Sequence, residues 1–171
     1  MRAINNQMQL MGSVQRGLPL LSSLPASWPV IVIDIKDCFF SIPLFHKDSE
    51  RFAFTVPSCN HEGPDKKYEW IILPQGMANG PTMCQLYVRE AIAPLRERFP
   101  ALRYIHYMDD ILLAAKGEQM LDQAYMELVK LLEKKRLFIA PEKVQKDKTV
   151  NYLGARIYEK HIIPKGRIEK R

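Results

Sequence analysis

Hydrophobic positions change their spacing along the chain, and each change predicts an element. Val30-Ile31-Val32-Ile33 is a continuous β-branched run, the pattern of a strand buried on both faces, and it ends at Asp34. Before it, residues 1–28 carry spaced apolar positions broken up by Gly12, Gly17, Pro19 and Pro25, which predicts a loop-rich lead-in. Residues 51–56 alternate Phe52 and Phe54 against smaller side chains, residues 57–67 gather turn formers and charges, and residues 68–73 turn apolar again. Together they predict a hairpin with a solvent-exposed loop. Pro81 opens a helical pattern in which Met83, Leu86, Tyr87, Ala91 and Ile92 share one face; Pro94, inside it, should kink or locally break the helix. Residues 104–107 and 111–113 are two β-type runs separated only by Met108-Asp109-Asp110, a tight hairpin. Residues 118–135 form the clearest helix, with Leu121, Ala124, Tyr125, Leu128, Leu131 and Leu132 on one side. Two last strands, about 152–158 and 161–163, close the chain as a hairpin. Helices on one face of an antiparallel sheet predict an α+β fold.

Composition narrows the class without naming a function. The 171 residues are 47% hydrophobic and 26% charged, which excludes a disordered chain and fits one domain with a real core. No stretch approaches the roughly 18 apolar residues of a membrane span, and the first residues lack the basic-then-apolar order of a signal peptide. Cys38, Cys59 and Cys84 form no CxxC pair, and His46, His61, His106 and His161 are scattered, so no zinc site is predicted. Cys38 and Cys84 read as buried small hydrophobes in a reducing compartment. A formal charge of +6 suits a polyanionic partner, although Lys143, Lys146 and Lys148 read as a solvated face.

The carboxylates sharpen the picture. Asp109-Asp110 alone reads as a polar turn, where Asp is favoured anyway. Asp34 changes that reading, because an ionised group ending a buried strand is expensive unless it is paired or binds a metal. If its strand lies beside the 104–113 hairpin, Asp34 and Asp109 approach each other at a sheet edge. Crowded carboxylates repel, and a divalent cation relieves them; magnesium takes one or two carboxylates plus phosphate oxygens and water. Two such ions suit an in-line displacement at phosphorus, and that chemistry asks for acidic oxygens and no His or Cys.

Several motifs then point to one family. Tyr107-Met108-Asp109-Asp110 resembles the YMDD signature of retroviral reverse transcriptases, and the stretch from Ile33 to Leu44 resembles their first catalytic motif. Leu73-Pro74-Gln75-Gly76 matches the LPQG motif. Arg2-Ala3-Ile4-Asn5 is similar to a fingers segment, and Tyr152-Leu153-Gly154 to the primer grip. All five fall in the family's order, and the wording is most similar to betaretroviral and K-type endogenous retroviral Pol polyproteins.

The resemblance implies an RNA-directed DNA polymerase that adds a deoxynucleotide to a primer 3′-hydroxyl on an RNA or DNA template. It implies two Mg²⁺ ions, with Mn²⁺ as a substitute, held by Asp34 and Asp109 with Asp110 as the third carboxylate. It implies Phe39 as the steric gate under the sugar, Gln75, Ile35 and Asp37 at the nucleotide, and Asp37 acting through its backbone. Tyr107, Met108, Leu153, Gly154 and Arg2 are implied at primer or template. The fold implied is a palm with partial fingers: residues 1–28 and about 45–80 fingers-like, the remainder palm, ending after a primer-grip hairpin near 152–163. The thumb, the upstream basic grip on the triphosphate and the parent polyprotein's ribonuclease H are expected to lie outside these residues. Other Pol domains or a dimer partner are implied as partners, with an intracellular or virion-associated location and no membrane. The alternative is a catalytically silent retroelement remnant serving as a nucleic-acid- or partner-binding module. A nucleotidyl cyclase is excluded by the lack of a Gly-Gly-Asp-Glu-Phe-like turn.

Overall fold

Two cores, one on each face of a small antiparallel sheet, organise the protein. The structure, a computed structural model, describes residues 1–12, 19, 21–25, 27–147, 149–158 and 162–164. In chain order the elements are helix α1 (Arg2–Gln7), strand β1 (Val30–Lys36), the single-turn helices α2 (Cys38–Ser41) and α3 (His46–Ser49), and strands β2 (Phe54–Val56) and β3 (Lys66–Tyr68). Helix α4 (Gly80–Arg98), strands β4 (Arg103–Tyr107) and β5 (Asp110–Ala114), and helix α5 (Glu118–Lys134) follow. Strands β6 (Phe138–Ile139), β7 (Thr149–Tyr152), β8 (Ala155–Tyr158) and β9 (Ile162–Pro164) complete the order.

The central sheet runs β4-β5-β1-β6, every pair antiparallel. Alternate side chains of β1 divide between two clusters, as the unbroken β-branched run predicts. Ile31, Ile33 and Ile35 pack with Ile111 and Leu113 against Val88, Ile92, Leu121 and Leu128 of α4 and α5. Val32 packs with Ile105, Leu112 and Ala114 against Val150, Tyr152 and Ile157 of a second sheet, ordered β7-β8-β9. The α+β expectation of a small antiparallel sheet backed by two helices holds.

Several boundaries differ from expectation. Strand β1 does not end at Asp34 but runs on to Lys36, because β6 pairs Ile139 with Ile35 and Phe138 with Lys36. Asp34 and Asp109 therefore meet between interior strands beside the tip of the β4–β5 hairpin, with β1 continuing past them. Helix α4 passes through Pro94 unbroken. Proline removes one bond to the Glu90 carbonyl, on an exposed turn where water can serve, while buried Ala91, Ile92 and Leu95 hold the helix to the core. The hairpin expected over 51–56 and 68–73 is shorter and shifted: β2 pairs with β3, whose Lys66 and Lys67 fall in the expected loop and which meets the expected return strand only at Tyr68, and a 3-10 turn over Glu50–Phe52 precedes it. Residues 152–158 are not one strand: a turn at Leu153 (φ 47°) and Gly154 (φ 75°) divides β7 from β8. His161 and Lys148, which entered the expectations above, lie outside the described residues.

The lead-in also contains more order than its composition predicts. Asn5 in α1 donates from Nδ2 to the Gly76 carbonyl at 2.9 Å and accepts from the Ala78 N–H at 2.9 Å. Buried Asn79 accepts from Met11 N at 3.0 Å and donates to Gln9 O at 2.9 Å. These bonds, all more than sixty positions apart in sequence, tie the first residues across the Gln75 loop and the start of α4.

Candidate active site

Three carboxylates converge at the last paired position of β1 and β5, beside the tip of the β4–β5 hairpin. Asp34 and Asp110 are register partners across β1 and β5, and strand alternation puts both on the face of Val32 and Leu112. Asp109 sits at the hairpin tip, its carbonyl accepting from Ile35 N at 2.8 Å. One oxygen from each carboxylate lies within 4.8 Å of the others, and all three groups are half-buried.

Their electrostatics register the crowding. Burial, the Asp109 charge, and a hydrogen bond and charge from Asp34 push the Asp110 carboxyl from 3.8 up to about 6. Asp109 is raised as well, first by burial and then by Asp34, against the pull of its own backbone N–H and of Lys143. Lys143, on the 3-10 turn after β6, places Nζ 3.4 Å from Asp34 Oδ1. That pair is exposed on the lysine side and contributes little to stability, but it places a cation against the cluster. A donor set of oxygens alone, on three crowded carboxylates, fits a hard divalent cation such as Mg²⁺ or Mn²⁺.

The hairpin tip is held from outside. Met108 adopts φ 55°, a left-handed conformation that costs a non-glycine residue about 1 kcal/mol. Its N–H donates to Gln85 Oε1 of α4, and its carbonyl accepts from His106 Nε2 at 2.6 Å. Burial lowers the His106 pKa, assisted by Arg89, so the neutral ring with its proton on Nε2 fits this bond. Two side chains thus satisfy both backbone groups of the residue that aims Asp109. Behind the cluster, the buried Tyr152 hydroxyl lies 3.1 Å from the Asp110 carbonyl and 3.2 Å from that of Ile105, joining the second sheet to the hairpin.

Two open clefts of about 400 Å³ each meet at the carboxylates. The first is lined by Asp34, Asp109, Ile35, Asp37, Phe39 and Gln75, together with Lys143. It brings the whole predicted nucleotide set together with two of the three acids. Phe39 rests against the start of α4, where a Cβ on Gly80 would come within 3.2 Å of its ring. Asp37 is left-handed at φ 47°, a conformation aspartate tolerates better than most residues. The second cleft is lined by Asp34, Asp110, Tyr152 and Leu153, again with Lys143. Gly154 forms the exposed turn beside it, and Tyr107 and Met108 are half-buried on the hairpin. Arg2 is exposed on α1 and lines neither cleft.

The sequence leaves Lys143 between a phosphate contact and a solvated lysine, and it does not single out Gln85 or the Tyr152 hydroxyl. Gln85 had a signal: a polar residue inside the apolar stripe of Cys84, Val88 and Ile92 asks for a partner. Lys143 had none, because its approach to Asp34 depends on the two-residue strand β6.

Comparison with known proteins gives a consistent result. The profile of the family described as reverse transcriptase (RNA-dependent DNA polymerase) matches residues 1–157. The chain is 57% identical over 164 residues to the intracisternal A-particle Pol-related polyprotein of mouse intracisternal A-particle MIA14, covering 96% of this chain and 19% of that protein. It is 50% identical over 158 residues to the Gag-Pro-Pol polyprotein of sheep pulmonary adenomatosis virus, covering 92% of this chain and 9% of the relative. It is 46% identical over 166 residues to the Gag-Pol polyprotein of Rous sarcoma virus subgroup B (strain Schmidt-Ruppin), covering 97% and 10%. The chain therefore spans between about a tenth and a fifth of the length of these relatives.

Proposed function

The chain belongs to the reverse transcriptase family, and from that premise we propose that it is the palm, with part of the fingers, of a retroviral RNA-directed DNA polymerase. Residues 1–28 and about 45–80 are the fingers-like parts. The observation that carries the reading is the convergence of Asp34, Asp109 and Asp110 at the junction of two clefts. The cleft holding Phe39 and Gln75 takes the deoxynucleoside triphosphate, and the cleft holding Tyr152 and Leu153 takes the primer end, annealed to RNA or DNA.

Asp34 and Asp109 would hold two Mg²⁺ ions, with Asp110 the third carboxylate. Bound there, the ions would supply Lewis acidity toward the primer hydroxyl and offset charge on the leaving pyrophosphate. The protein positions everything else. Ile35 and Asp37 carry backbone toward the triphosphate, and the Phe39 ring lies where a 2′-hydroxyl would clash. Lys143 supplies a positive charge beside Asp34 that reaches both clefts. Gln85 and His106 fix the Met108 turn, so Asp109 need not reorganise when the ion arrives, and preorganisation of this kind lowers the barrier. Leu153 and Gly154 hold the primer backbone by shape. Arg2, exposed on α1, meets the template by charge alone.

The test is extension of a DNA primer on an RNA template with magnesium, comparing this chain with the Asp109→Asn/Asp110→Asn double variant. Extension by the chain and none by the variant is the expected result. No extension by either would overturn independent catalysis and leave a nucleic-acid- or partner-binding module as the reading.

A further inference from the structure

The first cleft has a feature that nucleotide binding does not use. Cys38, at the start of α2, lines that cleft together with Asp34, Asp37 and Phe39. Its sulfur lies 3.0 Å from the sulfur of Cys84 on α4, a residue 46 positions away in sequence. Both thiols are free and buried, at 5% and 1% exposure. The chain's other thiol, Cys59, is exposed on the loop between β2 and β3. Two buried thiols in contact, one of them at the wall of an open cleft, are arranged for a bond to each other rather than for packing alone.

We propose that Cys38 and Cys84 are a site of reversible oxidation, a dithiol that a small two-electron oxidant such as hydrogen peroxide converts to a disulfide tying α2 to α4. Peroxide enters through the cleft and meets Cys38 first. The Cys38 sulfur attacks one peroxide oxygen, the O–O bond breaks, and a sulfenic acid and one water result. The Cys84 sulfur then displaces the hydroxyl as a second water, and the S–S bond forms. The two sulfurs lose the two electrons that the peroxide gains, and both thiol protons leave in the waters. Both thiols are buried, so peroxide reaches them slowly. The product fixes the residue next to Phe39 onto the helix whose Gly80 that ring already touches. Oxidation thereby sets the floor of the cleft in one position.

The experiment treats the folded 171-residue chain with hydrogen peroxide over hours, blocks remaining thiols with an alkylating agent, and maps linked peptides by mass spectrometry. The expected product is one intramolecular Cys38–Cys84 disulfide, with the thermal midpoint raised by about 5–10 °C and returned to its starting value by dithiothreitol. Cys59→Ser should show the same product and shift; Cys38→Ser and Cys84→Ser should show neither. The wild-type map stands even if a serine variant folds poorly. Alkylated Cys38 and Cys84 after Cys59 has been consumed would overturn the proposal, as would a disulfide from Cys59 to either of them or over-oxidation of Cys38 without a bridge.

Discussion

At the scale of single residues, the site is a balance between crowding and compensation. Asp110, held up at about 6, keeps its proton more tightly in the folded chain than in the unfolded one. Such a group contributes nothing below its unfolded pKa of about 4 and removes stability as pH rises through about 6. In metal-free buffer the thermal midpoint should therefore fall between pH 4 and pH 7, and magnesium should offset the fall above pH 6. Asp110→Asn should flatten the metal-free profile; an unchanged profile in that variant would remove Asp110 as its source. The turn residue Met108 gives a second test. Gln85→Leu removes the acceptor for its N–H, and Mn²⁺ affinity measured by calorimetry should weaken about tenfold, roughly the worth of one buried hydrogen bond. Gln85→Glu keeps an acceptor oxygen and should retain most of the affinity. Equal losses in both variants would mean that the side chain matters for helix packing instead of for aiming Asp109.

At the scale of elements, legibility followed the range of the forces involved. Helix α5 and the β4–β5 hairpin were readable because their periods and turn lie within one stretch of sequence. Strand β6 was not, since two residues carry no period and exist as a strand only through pairing with Ile35 and Lys36. Helix α1 is illegible for a related reason: none of its six residues is fully buried, and it is held by Ile4 resting on the core and by Asn5 reaching Gly76 and Ala78. Pro94 misled because the rule for proline in a helix concerns an isolated helix, whereas α4 is pressed onto a core. The three acids were legible as a set because strand β1 had to be buried and an ionised group at its end needed a reason. Their supports, Gln85 and Lys143, come from other elements and became visible only with the fold. Asn79 tests the stitching of the lead-in. Asn79→Ala leaves Met11 N and Gln9 O without their partner and should cost about 1–3 kcal/mol. Protease cleavage within residues 1–12 should accelerate in the same variant; unchanged protection there would show that other contacts hold those residues.

At the scale of the whole molecule, the central sheet separates two cores and ends in the acids. Helices α4 and α5 fix one face, the second sheet fixes the other, and the loops from both sides wall the two clefts. Carboxylates on strands held from both faces need little adjustment, which would suit the proposed reaction, governed by positioning and charge. The chain carries a formal charge of +6, while Asp34, Asp109 and Asp110 bring three carboxylates within 4.8 Å of one another. The most direct measurement is a crystal structure of the chain with Mn²⁺ and a deoxynucleoside triphosphate, read by anomalous scattering. The account predicts two manganese peaks about 3.5–4 Å apart, bound by Asp34 and Asp109, with the triphosphate in the cleft of Phe39 and Gln75. Manganese at saturating concentration bound elsewhere, with none at these carboxylates, would contradict it.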